Sequence, residues 1–119
     1  MMNLSFKRSE RLTKVKDFQR LYRTCRRITG NFVVIQFAGA TEKKAGFIVS
    51  KKISKNAVIR NKFKRRLREI YRNSKWSIST NCHMVIIAKE SIINADFHEL
   101  GNEVRALLQK INDISNQDL

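Results

Sequence analysis

The sequence predicts an α+β fold in which helices cover a single sheet, with the elements in the order α-β-β-α-β-α. Three segments carry apolar residues at intervals of three and four, as one face of a helix does, and three short runs are rich in β-branched and aromatic residues, as strands are. The 119 residues contain no proline and are 42% hydrophobic, which favours one packed domain spanning residues 1–119.

The first half of the chain is predicted to form one helix and two strands. The helix covers residues 14–25, with Thr13 as its N-cap and Asp17 in its first turn. Its apolar face consists of Phe18, Leu21, Tyr22 and Cys25. Two strands follow at residues 31–38 and 45–52, joined by the polar turn GATEKK, and we expect them to be antiparallel.

The second half is predicted to form two helices with a strand between them. The first of these helices begins at Ser54, its expected N-cap, and has an apolar stripe of Ile59, Phe63, Leu67 and Ile70. A polar link at residues 73–81 leads to a continuous apolar run at residues 83–90, which is typical of a strand covered on both faces. The last helix has one apolar face, made of Phe97, Leu100, Val104, Leu107, Leu108 and Ile111.

The charge of the chain is strongly positive and unevenly distributed. Lys and Arg number 25 against 10 Asp and Glu, for a net charge of +15. Residues 1–89 hold 23 basic and 4 acidic side chains, whereas residues 90–119 hold 2 and 6. Such an excess is the electrostatic pattern expected of a nucleic-acid-binding protein, and the first 89 residues are expected to carry the contact.

The basic residues are densest around the predicted second helix. Ten of the 22 residues from Lys51 to Arg72 are basic, and within the helix only Glu69 is acidic. A run of charge is usually a solvated helix face, but such faces normally mix the two signs. Like charges four residues apart repel by a few tenths of a kcal/mol each, so this helix is predicted to bind a polyanion.

Residues able to perform catalysis are sparse. Hydrolysis of a phosphodiester by metal ions needs clustered carboxylates. The nearest candidates are Asp96, Glu99 and Glu103, which we interpret as a solvated acidic face of the last helix. His83 and His98 have no nucleophile placed by sequence to pair with them. Catalysis by this chain alone is therefore not expected.

The sequence also indicates the cellular compartment of the protein. Cys25 and Cys82 lie far apart without a CxxC or a nearby His pair, which favours two reduced thiols over a disulfide or a zinc site. No apolar run approaches the length of a membrane span, and the first residues lack the apolar core of a signal peptide. We expect a cytoplasmic protein with no membrane association.

Aromatic side chains are the second requirement of a single-strand binding surface, since any base can stack on a ring. Phe18 and Tyr22 lie one turn apart on the first helix, among several arginines. Core packing is the alternative interpretation for both rings, and it is the preferred one for Phe32 at the start of the first strand.

The segment VSKKISKNAVIRNKFKRRLREIYR at residues 49–72 resembles the signature of the protein component of bacterial ribonuclease P. In that family a Lys-Lys strand end leads into a helix with Ala-Val, Arg-Asn-Arg, Lys-Arg and Arg-Glu. The resemblance extends to RLTKVKDFQRLY at residues 11–22, NFVV at 31–34 and HMVIIAK at 83–89, and so covers most of residues 8–90.

The resemblance implies a holoenzyme subunit rather than a catalyst. In the family the RNA subunit holds the active site and requires Mg²⁺, and the protein binds no cofactor stably, needs no further protein partner and assists removal of the 5′ leader from precursor tRNA. The residues expected to contact the catalytic RNA are Arg60, Asn61, Lys62, Lys64, Arg65, Arg66 and Arg68. The residues expected to bind the leader, in a cleft between the first helix and the sheet, are Phe18, Tyr22, Lys51, Lys52 and Asn56.

The same resemblance implies a fold similar to one domain of a small-subunit ribosomal protein, with a left-handed βαβ crossover around the basic helix. Two positions depart from the family pattern. Lys62 keeps the charge of the Arg-Asn-Arg motif but lacks the planar fork of arginine. Ile35 stands where some relatives have an aromatic residue on the strand that faces the cleft, so leader stacking would rest on fewer rings.

Two other classes of protein share parts of this pattern. A structural ribosomal protein with a similar sandwich would use the same basic helix to anchor ribosomal RNA. A reader of the DNA major groove would need a helix directly before the basic helix, and residues 45–52 are predicted to be a strand instead.

Overall fold

Two layers of helices enclose one sheet. The computed structural model describes residues 8–74 and 81–117, so part of the expected polar link at residues 73–81 lies outside the described residues. Within that part of the chain there are three helices, α1 (Val15–Thr24), α2 (Ala57–Ser74) and α3 (Phe97–Gln117). The four strands are β1 (Arg26–Thr29), β2 (Val33–Gly39), β3 (Lys44–Ile48) and β4 (Cys82–Ala88). Short 3-10 turns occupy Arg8–Glu10 and Glu90–Asn94. The predicted α+β class is confirmed.

The strand order differs from the simplest reading of the sequence. The order is β1-β2-β4-β3, with β4 antiparallel to β2 and parallel to β3. Strands β2 and β3 run in opposite directions, as predicted, but they are not hydrogen-bonded neighbours because β4 lies between them. The reason is the apolar character of β4, which has to be covered on both faces and takes a central place in the sheet.

Strand β1 was missed in the sequence. Its four residues, RRIT, contain one apolar side chain, so no alternation indicates a strand. It pairs antiparallel with β2 from Arg26 opposite Phe37 to Thr29 opposite Val34. Charged side chains are tolerated here because β1 is an edge strand with one neighbour.

Each face of the sheet has its own apolar cluster. The larger cluster joins alternate residues of β2 and β4, such as Ile35 and Ile86, to the buried faces of α2 and α3. The smaller cluster consists of Leu12, Leu21 and Val85, with Phe18 packed against it, and lies beneath α1. The prediction that the run at residues 83–90 forms a strand covered on both faces is confirmed, since six of the seven residues of β4 are buried.

The apolar faces of the helices agree with the predicted stripes except at their first turns. Phe63, Leu67 and Ile70 of α2 are buried, whereas Ile59 is 38% exposed. In α3 every predicted apolar residue is buried except Phe97, which is 43% exposed.

The predicted N-caps of two helices are wrong. The residue before α1 is Lys14, which makes no side-chain capping hydrogen bond, and Thr13 lies one residue too early. Helix α2 begins two residues later than expected, so Asn56 takes the place of Ser54. Its Oδ1 accepts a hydrogen bond from the N–H of Val58 at 2.9 Å.

The interpretation of the acidic residues of α3 as one solvated face is wrong for Glu103. This carboxylate is half-buried and accepts hydrogen bonds from the backbone N–H groups of Asn31, Phe32 and Val33 at 2.5, 2.7 and 3.1 Å. A Cβ atom at Gly30 would stand 2.6 Å from Cδ of Glu103, so the turn before β2 needs glycine for this approach. Glu103 thus ties α3 to the turn between β1 and β2.

Two more side chains hold the same turn. Lys89 Nζ donates a hydrogen bond to the carbonyl oxygen of Gly30 at 3.0 Å, and Ser91 Oγ donates to that of Asn31 at 2.5 Å. Asp96, which shares the acidic segment, caps α3 by accepting from the N–H of Glu99 at 2.7 Å. The acidic side chains of this segment therefore include structural hydrogen-bond acceptors.

We expect Glu103→Ala to lower the free energy of unfolding by about 2–4 kcal/mol, because three backbone donors lose a charged acceptor. Urea denaturation measures the change. The matched control is Glu99→Ala, an exposed glutamate of the same helix, which is expected to change stability by less than about 1 kcal/mol. Equal losses for the two variants would contradict the clamping role of Glu103.

Candidate nucleic-acid interface

The basic side chains of α2 do not all share one side of the helix. Successive residues are about 100° apart, and the buried residues Phe63, Leu67 and Ile70 define the inward direction. Lys62 and Arg66 then lie on one flank. The opposite flank and the outward side, which we call the basic face of α2, carry Arg60, Asn61, Lys64, Arg65, Arg68 and Arg72. Five of the seven residues expected to bind the catalytic RNA are thus brought together, and two are set apart.

Some cations of α2 also make contacts inside the protein. The guanidinium of Arg60 donates a hydrogen bond to the carbonyl oxygen of Ser54 at 2.8 Å, which fixes the loop before the helix. The guanidinium of Arg66 lies 5.6 Å from the centre of the Phe63 ring, a cation–π distance. Arg66 is therefore held against the helix, and its role in binding RNA stays a prediction.

The outward part of the basic face has one acidic neighbour. Glu69 Oε1 lies 4.0 Å from Nη2 of Arg72, and both side chains are well exposed, so this ion pair adds little to stability. Arg65, Arg68, Glu69 and Arg72 line an open depression of about 330 Å³. Several guanidinium groups around one open depression suit contact with phosphate oxygens.

The opposite side of the sheet forms a floor beneath α1. Gln36 of β2, Val85 of β4 and Gly46 of β3 lie side by side across three strands. The Phe18 ring comes within 3.5 Å of the place where a Cβ of Gly46 would stand. The Phe18 ring therefore lies over β3, at a distance where an added methyl group would still make an ordinary van der Waals contact.

The two aromatic rings of α1 differ in exposure. Phe18 is half-buried and packs against the cluster beneath α1, whereas Tyr22 is 54% exposed. Their ring centres are 6.3 Å apart. Core packing explains much of Phe18 and little of Tyr22. Phe32 packs against the larger cluster, which agrees with core packing as its preferred interpretation.

Ile35 lies on the side of β2 that faces away from α1. Ile35 is fully buried beneath α2 and α3, so the α1 side of β2 carries Val34, Gln36 and Ala38 instead. Gln36 was not predicted as a residue on the α1 side of β2. Side chains alternate along a strand, so its side follows once Ile35 is placed in the core. Its Oε1 is buried and has no hydrogen-bond partner in the described structure, and the register places Arg27 beside it.

The remaining residues expected to bind the leader lie between β3 and α2. Lys51 and Lys52 are exposed in the turn that follows β3. Asn56 is exposed as well, but its Oδ1 is engaged as the cap of α2, so its NH₂ group is the part able to donate to a ligand. The expectation that these three residues and the rings of α1 bind the same single-stranded RNA leader stays a prediction.

The histidine and cysteine side chains of the described residues do not form a cluster of metal ligands. Among residues 8–74 and 81–117, no group of three or more His, Cys, Asp or Glu could hold a metal ion. Both cysteines are free, and burial raises the pKa of Cys82 to about 11. None of the described helices is long and apolar enough to cross a membrane.

His83 is buried on the α1 side of the sheet. Burial lowers its pKa from the ordinary value, and the carboxylate of Asp17 opposes this shift in part while Lys44 and Arg20 add to it. The neutral ring is therefore the form that the folded protein favours.

A sheet with a cationic helix on one face and two aromatic rings of α1 on the other is typical of a small RNA-binding protein of the α+β class. The chain matches the family model described as Ribonuclease P over residues 6–112. It belongs to the ribonuclease P protein family.

Individual relatives agree with this assignment. The ribonuclease P protein component of Dictyoglomus turgidum is 40% identical over 110 residues, which cover 89% of this chain and 88% of that protein. That of Caldanaerobacter subterraneus is 36% identical over 106 residues, or 85% of this chain and 90% of that protein.

Solved structures extend the likeness to the fold. The ribonuclease P protein of Thermotoga maritima aligns with a TM-score of 0.76 and 27% identity, covering 85% of this chain and 96% of that one. The protein of Staphylococcus aureus aligns with a TM-score of 0.76 and 28% identity, covering 86% and 94%. The chain is thus a protein subunit of a ribonucleoprotein ribonuclease of tRNA processing, with ribonuclease P RNA as its partner. The ribosomal alternative is not favoured.

The pKa of His83 makes stability depend on pH. Because its folded pKa lies below the unfolded value of about 6.5, the stability contributed by the neutral ring is present above pH 6.5 and is lost as the pH falls through that value. We expect His83→Gln to flatten the decline in unfolding free energy between about pH 7 and 5. His98→Gln, at an exposed position of α3, is the control and should leave the decline unchanged; a wild-type slope in His83→Gln would refute the assignment.

Proposed function

We propose that this chain docks on the catalytic RNA of ribonuclease P through the basic face of α2 and holds the single-stranded 5′ leader of precursor tRNA in the cleft beneath α1. One observation carries the proposal: α2 with its basic face and α1 with the Phe18 and Tyr22 rings pack on opposite faces of the same sheet. A protein of this size can therefore touch two RNA molecules at once.

The basic face suits a folded RNA. Its arginines supply planar donors for phosphate oxygens, and Glu69 is the one acidic residue within α2. Phosphates of two RNA strands repel each other when they are brought together, and cations between them reduce that repulsion. The chain would thus assist the assembly of RNA and substrate through its charge.

The cleft suits a single strand. Tyr22 offers an exposed ring for stacking, and Lys51 and Lys52 offer exposed cations in the turn after β3. Stacking and phosphate contact tolerate any base sequence, as a subunit that serves many precursor tRNAs requires.

We assign bond cleavage to the RNA subunit and its Mg²⁺ ions. Hydrolysis of a phosphodiester by two metal ions needs carboxylates that converge, and the described part of this chain has no such group. The protein would hold no cofactor of its own and need no further protein partner, and tRNA processing places its work in the cytoplasm.

The proposal is tested by cleavage of a labelled precursor tRNA with the chain, the RNA subunit or both. We expect no cleavage by the chain alone, and cleavage by the complex at a lower Mg²⁺ concentration than the RNA alone needs. The proposal fails if the chain cleaves without RNA or does not help the RNA.

The leader contact is tested within the same experiment by Tyr22→Ala. Phe18→Ala is less suitable because Phe18 also packs in the core. We expect Tyr22→Ala to weaken binding of the precursor by roughly fivefold to a hundredfold, as loss of one stacked base does, while mature tRNA binds as before. Equal weakening of both ligands would exclude a leader role.

A further inference from the structure

The row of residues beneath α1 continues to the edge of the sheet. Gly46 of β3, Val85 of β4 and Gln36 of β2 lie side by side, and Arg27 of β1 stands opposite Gln36. Residues paired across neighbouring strands present their side chains on one face, so Arg27 faces the α1 side, and it is exposed. The floor beneath α1 thus ends at β1 in a guanidinium group.

Helix α1 crosses the strands in the same direction. The chain before it is bonded to β3, where the N–H of Leu12 donates to the carbonyl oxygen of Ala45 at 2.9 Å. After the helix ends, the chain enters β1 at Arg26. Phe18 lies over β3, and Tyr22 is one helical turn nearer to the β1 end. The two rings therefore follow each other along a path from β3 to β1.

The chain at the β1 end of this path is uniformly basic. Residues 18–41 contain no Asp or Glu but four arginines, Arg20, Arg23, Arg26 and Arg27. Arg20 donates a hydrogen bond to the carbonyl oxygen of Gly39 at 3.1 Å. Arg26 pairs with Phe37, which belongs to the larger cluster, so Arg26 faces away from α1. Arg27 is the member of this group that belongs to the floor.

The neighbour of Arg27 has an unused hydrogen-bond acceptor. Gln36 Oε1 is buried and has no hydrogen-bond partner in the described structure. A buried polar atom without a partner is costly. A guanidinium group has five N–H donors, so Arg27 can donate to Gln36 and to an anion on the floor at the same time. An anion bound there would hold the guanidinium group beside Gln36.

We propose that the 5′ leader crosses the strands from β3 to β1, and that Arg27, positioned by Gln36, binds a leader phosphate at the β1 end. The inference rests on the proposed function and gives the leader a direction. Lys51 and Lys52 precede α2, the helix that docks on the catalytic RNA, so the nucleotides next to the cleavage site lie at the β3 end. Nucleotides farther from the cleavage site reach Arg27.

Such a path makes the contribution of Arg27 depend on the length of the leader. Neighbouring strands are about 4.8 Å apart, so the four strands are roughly 14 Å wide. A leader of a single nucleotide does not cross this width. A leader of about ten nucleotides does, and it lies within the roughly 4–16 nucleotides that single-strand sites hold.

The first test measures binding of precursor tRNA to the reconstituted holoenzyme. Arg27→Gln should weaken binding of a precursor with about ten leader nucleotides roughly tenfold, and should leave a single-nucleotide leader unaffected. Arg26→Gln makes the same change in charge on the opposite face of β1, and Arg105→Gln makes it on α3; neither should alter binding. Arg27→Lys should retain part of the affinity. Circular dichroism and a melting curve confirm that each variant is folded.

The second test identifies the phosphate. Methylphosphonates replace the charged leader phosphates one at a time by a neutral group. Arg27→Gln should cause no further loss when one particular phosphate in the distal part of the leader is neutral, because both changes then remove the same contact. Lys51→Gln should behave in this way at a phosphate nearer to the cleavage site. The reverse order of the two phosphates would overturn the proposed direction.

The role of Gln36 as a positioning residue has a separate test. Gln36→Met keeps an unbranched side chain but removes the acceptor. It should weaken binding of the longer leader by less than Arg27→Gln does, leave the single-nucleotide leader unaffected, and cause no further loss in the Arg27→Gln background. Equal losses for both leaders, or fully additive losses, would exclude this role.

The outcomes separate the path from the wider function. If the wild type binds both leaders equally well, the proposed leader contact fails first. If the wild type prefers the longer leader and Arg27→Gln keeps the full preference, the path to β1 is refuted while the proposed function stands. Equal weakening of both leaders by Arg27→Gln would assign Arg27 to the tRNA body or the catalytic RNA, and would also refute the path.

Discussion

The need to cover strand β4 on both faces determines the architecture. Its residues are almost entirely apolar and buried, so helices have to pack on both sides of the sheet. Helices α2 and α3 cover one side and α1 covers part of the other. The cationic helix α2 and the aromatic rings of α1 therefore lie on opposite faces of the sheet.

The acidic and basic side chains have different roles in this protein. The basic residues of α2 gain little inside the protein, and mutual repulsion makes their helix less stable than its apolar stripe alone would make it. The acidic segment near the end of the chain contributes to the fold, since Asp96 caps α3 and Glu103 binds the turn before β2. The basic side chains of α2 thus contribute little to the fold, whereas part of the negative charge is used as hydrogen-bond acceptors.

Periodicity in the sequence predicted the three helices and β4, because long apolar patterns leave few alternatives. It did not predict β1, whose edge position tolerates two arginines, or the pairing of β3 with β4, which depends on the whole sheet. The basic face could be predicted from composition and motif. The position of Gln36 could not, since the side of β2 that faces α1 is set by tertiary packing.

The arrangement of the two RNAs around the protein is tested most directly by radical cleavage from probes attached to single exposed cysteines, since Cys82 is buried. In a Cys25→Ser background, Asn61→Cys places a probe on the basic face without loss of charge, and Gln19→Cys places one on α1. In the holoenzyme with bound precursor tRNA, we expect the first probe to cut the catalytic RNA and the second to cut the leader. Cleavage of the leader from position 61, or no cleavage of the catalytic RNA from it, would contradict the account.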